Sequence, residues 1–184
     1  MTLGYIAECT GGLLLGAPPA AEVDGFDYDS RLQRVGAGFV ALAILDEHGL
    51  RDGHLFVGEA IARGAAVALV ARVPSGVVGP LIVVDDPIVA LGAIARAARR
   101  DLAATVLGVI GSAGKTTTKD LVAGALRSHC RVHATAGSHN NEFGLPVTIL
   151  DAPHETQALV LEMGERNPGD LTYLSAISAP TIAV

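Results

Sequence analysis

The chain has 184 residues, half of them hydrophobic but only 4% aromatic and none tryptophan, so its core must be built from Ala, Val, Leu and Ile. A formal net charge of −6 excludes a broad nucleic-acid or membrane-binding surface but leaves room for a local anion site. Cys9 and Cys130 show no metal spacing, and neither a basic leader nor an apolar run of transmembrane length is seen; a reduced, cytoplasmic protein without membrane insertion is expected.

In chain order, Leu3 to Cys9 reads as a short helix ended by Gly11-Gly12. Phe39 to Leu45 and Ala66 to Ala71 read as buried strands, and Glu59 to Arg63 as part of a helix that stops at Gly64. Leu81 to Val84 is a further strand. Asp86-Pro87 then opens a helix, with the aspartate as N-cap and the proline in the first turn. Ile88, Leu91 and Ile94 recur at helical spacing, and the helix runs out at Arg96, Arg99 and Arg100. A boundary at Asp101 to Ala104 is expected, separating a domain 1–100 from a domain 101–184.

Beyond it, strands at Thr105 to Ile110, Arg131 to Ala134, Ala158 to Leu161 and Thr181 to Val184 alternate with helices. The helices start near Thr116, near Leu145 and near Pro168. Alternation of this kind predicts an α/β fold with a mostly parallel sheet. Because the pattern stops inside a strand, the chain reads as the front part of a longer protein.

The segment Gly108-Val109-Ile110-Gly111-Ser112-Ala113-Gly114-Lys115-Thr116-Thr117-Thr118 sits between a strand and a helix and reads as a phosphate-cradling loop. Gly111 and Gly114 permit a tight turn that aims backbone N–H groups at an anion, and the helix N-terminus adds partial positive charge. Lys115 reaches outer phosphates, and the Thr116 hydroxyl suits a magnesium ion. The common pattern would place glycine at 109, where this chain has Val109, so the loop is a shorter variant. The bland alternative is a glycine-rich turn with an incidental lysine.

Ser138-His139-Asn140-Asn141-Glu142-Phe143-Gly144-Leu145-Pro146 offers two adjacent amides to a phosphate, metal-bound water or substrate carbonyl; an ordinary turn is the alternative. Glu162, at the carboxyl end of the Ala158–Leu161 strand, points toward the crevice where parallel sheets bind ligands and suits magnesium; a solvated strand end is the alternative. His129, Cys130, His133 and His139 do not converge if 131–134 is a strand, so zinc is not expected. No nucleophile elbow supports a Ser/His/Asp triad.

Several segments in series resemble the ATP-dependent Mur ligases of peptidoglycan synthesis. These are Asp29-Ser30-Arg31, Gly38 to Leu42, Asp52-Gly53-His54 with Phe56, Gly111 to Thr117, Asn140 to Pro146, and Leu161 to Gly164. The short phosphate loop is the family's own form. The resemblance implies a small N-terminal α/β UDP-binding domain followed by the first part of a P-loop ATPase domain. It implies ATP on Gly111, Ser112, Ala113, Gly114, Lys115, Thr116 and Thr117, with Lys115 catalytic at the outer phosphates and magnesium on Thr116 and Glu162. Ser30, Arg31, Asp52, His54, Asn140 and Asn141 would contact substrate. Ala37 stands where the family usually has an acid, and Ile44 to Leu50 departs from its pattern.

The branch that joins D-alanyl-D-alanine to UDP-N-acetylmuramoyl-tripeptide fits these features, through an acyl phosphate formed on the tripeptide carboxylate. A monomer without nucleic-acid partners is expected, and the 184-residue chain alone is expected to turn over poorly or not at all. The alternatives are a Mur-type ligase with another acceptor or amino acid, and a non-catalytic nucleotide-binding module.

Overall fold

A computed structural model describes residues 1–46 and 49–184. They form two compact units, Met1–Ile94 and Ala95–Val184. The division falls earlier than the sequence boundary at 101–104. The reason is packing: Ala95 belongs to one buried cluster with Leu102, Ala104 and Val106.

The first unit begins with α1 (Leu3–Thr10), which Gly11 ends in the left-handed conformation at φ 66°. Its five-stranded sheet comprises β1 (Leu13–Leu15), β2 (Phe26–Asp27), β3 (Gly38–Val40), β6 (Val67–Val70) and β7 (Leu81–Val83). The spatial order is β1-β7-β6-β3-β2, with only β1 antiparallel to its neighbour. Helix α2 (Val57–Ala62) buries Val57 and Ala60 against Phe39, Ala41, Val70 and Leu81. It ends as expected: Gly64 takes φ 99° and donates to the Ile61 carbonyl at 2.9 Å.

Phe39 to Leu45 is not one strand. After β3 the chain turns, with Leu42 N–H donating to the Val40 carbonyl at 2.9 Å. It then starts β4 (Ala43–Asp46), which pairs antiparallel with β5 (Gly49–Asp52) in a separate hairpin. The hairpin occupies most of the Ile44–Leu50 stretch; Glu47 and His48 of that stretch lie outside the described residues. Helix α3 (Pro87–Asp101) starts as the sequence predicts, Asp86 Oδ1 accepting from the Ile88 and Val89 N–H groups at 2.7 and 3.2 Å.

In the second unit, β8 (Thr105–Val109), β9 (Val132–Ala134), β10 (Ala158–Glu162) and β11 (Ile182–Ala183) form a wholly parallel sheet in the order β11-β8-β10-β9. Two buried faces explain its apolar strands. On one side α4 (Lys115–Leu126) packs Ala123, Val122 and Leu126 on Val109 and Val160. On the other, α5 (Gly144–Leu150) and α6 (Asp170–Ser178) pack Leu145, Ile149, Leu174 and Ile177 on Val106, Leu159 and Leu161. Side chains alternate along a strand, so Glu162 shares the face of Val160, the face toward α4. No helix among the described residues is long and apolar enough to cross a membrane.

Leu159 is fully buried between β10 and the α5–α6 layer. Leu159→Ala is expected to cost about 2–5 kcal/mol in urea denaturation, whereas Leu32→Ala, on an exposed side chain, stays within about 0.5 kcal/mol.

Candidate functional site

The candidate site of the second unit lies at the carboxyl ends of β8 and β10, which run side by side with Val109 opposite Glu162. This is where open parallel sheets form ligand crevices. The strand β8 gives way to an exposed loop in which Gly111 and Gly114 take φ 140° and 77°, conformations that side-chain-bearing residues rarely adopt. Gly114 precedes the first residue of α4, and no side chain caps that helix end. Its first-turn N–H groups therefore face the loop as donors for an anion. Lys115 Nζ arches over the loop to the Gly111 carbonyl at 2.7 Å, which places an ammonium group above the cradle. Thr116 and Thr117 follow on the exposed first turn.

Glu162 is 1% exposed. One carboxylate oxygen, Oε1, accepts from Asn140 Nδ2 at 2.7 Å, and its backbone N–H donates to Thr135 Oγ1 at 3.0 Å. The other oxygen, Oε2, is buried without a hydrogen-bond partner. An orphaned anionic oxygen is costly unless a cation or donor completes it. A hard oxygen donor of this kind, at the strand end next to the one that leads into the glycine loop, fits magnesium. Among the described residues no cluster of three His, Cys, Asp or Glu side chains is placed to hold a metal ion.

The two asparagines have different duties. Asn140 holds Glu162, and its backbone carbonyl accepts from Gly164 N–H at 2.8 Å. A Cβ at Gly164 would stand 2.7 Å from Asn140 Oδ1, so a larger residue there would push the Asn140 amide away from Glu162. Asn141 instead serves the fold: its Oδ1 accepts from Gly144 N–H at 2.9 Å at the start of α5. Both line a cavity of about 410 Å³ with Lys115, Glu142, Gly164 to Asn167, Asp170, Tyr173 and Leu174. Asp170 keeps the 165–167 wall in place, accepting from Arg166 and Asn167 N–H at 2.9 and 2.8 Å; these bonds hold its carboxyl below the usual range.

Two polar residues of this region escape sequence reading. Lys119 is buried, and Thr135 joins it to Glu162. The available signal for Lys119 was its position, three and seven residues before Val122 and Leu126 on the buried stripe of α4.

In the first unit, Asp29 Oδ1 accepts from Arg31 N–H at 3.0 Å and so starts a 3-10 turn over Ser30–Leu32. The Arg31 guanidinium closes on the same carboxylate at 2.9 and 2.6 Å and holds Asp29 below its ordinary value, while Arg31 itself stays 81% exposed. Ser30 is buried, with Oγ donating to Glu59 Oε2 at 3.3 Å.

Asp52, Gly53 and His54 form a fastening. His54 is 4% exposed; its Nε2 accepts from Ala71 N–H at 2.9 Å, so Nδ1 carries the proton given to Asp52 Oδ1 at 2.6 Å. Both ring nitrogens are thereby used within the fold. Arg72 closes on the other oxygen of Asp52. Gly53 donates to the Leu42 carbonyl at 2.7 Å, and a Cβ there would lie 2.7 Å from Leu42 backbone atoms. The motif thus ties β5 to the ends of β3 and β6.

The second unit, with a glycine-rich loop and an uncapped helix start after an inner strand of a parallel sheet and an acid on the next strand, has the architecture of α/β domains of the P-loop kind. Residues 109–184 match the Mur ligase middle domain. The chain is similar to the UDP-N-acetylmuramoyl-tripeptide–D-alanyl-D-alanine ligase of Mycobacterium leprae, at 37% identity over 100% of this chain and 40% of that protein. With the Bacillus subtilis ligase of the same name it shares 44% identity over 72% of this chain and 30% of that one. A crystal structure of MurF from Acinetobacter baumannii superposes with a TM-score of 0.86 at 32% identity, covering 99% of this chain and 40% of that one. MurF from Thermotoga maritima in complex with ADP gives 0.72 at 34% identity, covering 87% and 36%. The chain belongs to the Mur ligase family. It spans about 40% of the length of the M. leprae relative.

Burial pushes the Asp52 carboxyl up, but hydrogen bonds from the His54 backbone, Arg72 and the His54 ring outweigh it and hold the group at about 2. Its folded value lies below the ordinary 3.8, so its contribution is complete above that value and is lost as pH falls through about 2. Asp52→Ala is expected to cost about 1.5–3 kcal/mol at pH 7. In urea melts taken at successively lower pH, the gap to the wild type narrows on the acid side of the ordinary carboxylate range.

Proposed function

We propose that this chain forms the UDP-sugar-binding and ATP-binding parts of a cytoplasmic, monomeric ligase that joins D-alanyl-D-alanine to a UDP-N-acetylmuramoyl-tripeptide. The carrying observation is the buried Glu162 carboxylate with one unpartnered oxygen, beside a phosphate loop that retains Lys115 and Thr116. A relic of a nucleotide site would have no reason to keep so costly an arrangement.

In this reading, residues 1–100 bind the UDP-sugar and residues 101–184 bind ATP. The backbone of Gly111 to Thr117 cradles the phosphates, and Lys115 leaves the Gly111 carbonyl to meet the outer ones. Thr116 and Glu162 hold magnesium, which neutralises charge on the phosphates when bound. The tripeptide's terminal carboxylate oxygen attacks the γ-phosphorus and ADP leaves. The amine of D-alanyl-D-alanine then attacks the acyl carbon, inorganic phosphate leaves with the bonding pair, and the proton lost from nitrogen passes to solvent. No protein nucleophile is needed; positioning and charge neutralisation carry the reaction.

Asn140 keeps the carboxylate in place, and Asn141 holds the neighbouring cavity wall at α5. Arg31 is the exposed candidate for an anionic group of the UDP-sugar, with Ser30 beside it. Asp52 and His54 contribute by holding the turn rather than by touching substrate. The MurF names of the relatives at 32–44% identity support the choice of D-alanyl-D-alanine over other added groups.

Calorimetric titration of ATP with magnesium tests the phosphate site. The wild-type chain is expected to bind, and Lys115→Ala to weaken binding about 10- to 100-fold, the value of a lost charge-assisted contact. Equal affinities would rule out Lys115 as a phosphate ligand.

A further inference from the structure

Lys119 is the buried cation of the second unit that the reading above leaves without a task. It sits one helical turn after Lys115 on α4, yet is only 2% exposed. Burying an ammonium group costs several kcal/mol unless its donors are well paired. Here Nζ donates to the Thr135 carbonyl at 2.8 Å and the Gly137 carbonyl at 3.2 Å, and lies 2.9 Å from Asp120 Oδ1. A simple helix-to-strand brace would be served by an apolar side chain at lower cost. The partners explain the charge.

Thr135 and Gly137 belong to the segment that leaves β9 and leads to Asn140. That segment holds Glu162 from two sides: Thr135 Oγ1 accepts its backbone N–H, and Asn140 Nδ2 donates to its Oε1. Thr135 N–H also donates to the Val160 carbonyl at 3.0 Å, so the residue is stitched into the same strand end. Lys119 thereby connects the helix that begins at the phosphate loop to the peptide that aims the carboxylate. Thr116 lies on the first turn of that helix, and Lys119 three residues later.

We propose that Lys119 is a positioning residue for the divalent-cation site, fixing the spacing between Glu162 and the first turn of α4. The proposal rests on the reading of Glu162 and Thr116 as cation ligands. Groups that orient a metal ligand typically change metal affinity 10- to 100-fold when lost, although they never touch the ion.

The test measures magnesium dependence of ATP binding by the folded chain, with affinity in EDTA as the reference. In Lys119→Met the magnesium concentration for half-saturation is expected to rise about 10- to 100-fold, while affinity in EDTA stays within about twofold of the wild type. Lys119→Arg keeps the charge but not the compact donor head, and is expected to shift the midpoint by about threefold; this variant decides the matter if the methionine variant does not fold. Wild-type magnesium dependence in every variant that folds would overturn the inference alone. An equal loss with and without magnesium, or failure of both variants to fold, would assign Lys119 to the fold and also overturn it. A wild-type chain that binds ATP identically with and without magnesium would refute the cation-site reading and the inference together.

Discussion

The carboxyl-end crevice of the second unit is organised around a carboxylate kept almost free of water. An isolated buried anion is among the least favourable groups a protein can carry. Glu162 is tolerated because its surroundings are built for half of it: Asn140 satisfies one oxygen and Thr135 takes the backbone N–H. The remaining oxygen is left without a hydrogen-bond partner at this strand end. Strand β10 supplies the rigidity, since it is buried throughout its length and paired on both edges. Gly164 can then turn tightly against Asn140, which closes the arrangement.

Polar residues are used differently in the first unit. There the buried histidine and its aspartate are internally complete, with each ring nitrogen and both carboxylate oxygens engaged. That cluster finds its hydrogen-bond partners within the fold. The exposed Arg31, braced by Asp29, is instead the group that projects. A short polar motif can therefore mark either a fastening or a contact, and hydrogen-bond satisfaction separates the two.

The glycine-rich turn at 111–114 and the alternating elements of the second unit were legible because their signals are local. Glycines at left-handed positions, β-branched strands and a proline-led helix each act within a few residues. The break at Ala41–Leu42 was not legible, because it depends on Gly53 donating to Leu42 from eleven residues away. The short strands Leu13–Leu15 and Phe26–Asp27 carry too few residues for a periodic signal and exist through pairing with β7 and β3. Asn140 and Asn141 were indistinguishable as neighbours in sequence, yet one faces Glu162 and the other caps α5. Lys119 is drawn inward by the Thr135 and Gly137 carbonyls beyond β9, sixteen and eighteen residues further along the chain.

In the proposed reading the open oxygen of Glu162 completes a divalent-cation site when nucleotide is bound. Electron paramagnetic resonance of manganese titrated into the chain with ATP reads this directly. The expected result is one nucleotide-dependent bound ion per wild-type chain, and its loss in Glu162→Gln, which keeps the acceptor for Asn140 and so the fold. Undiminished manganese binding by a folded Glu162→Gln variant would contradict it.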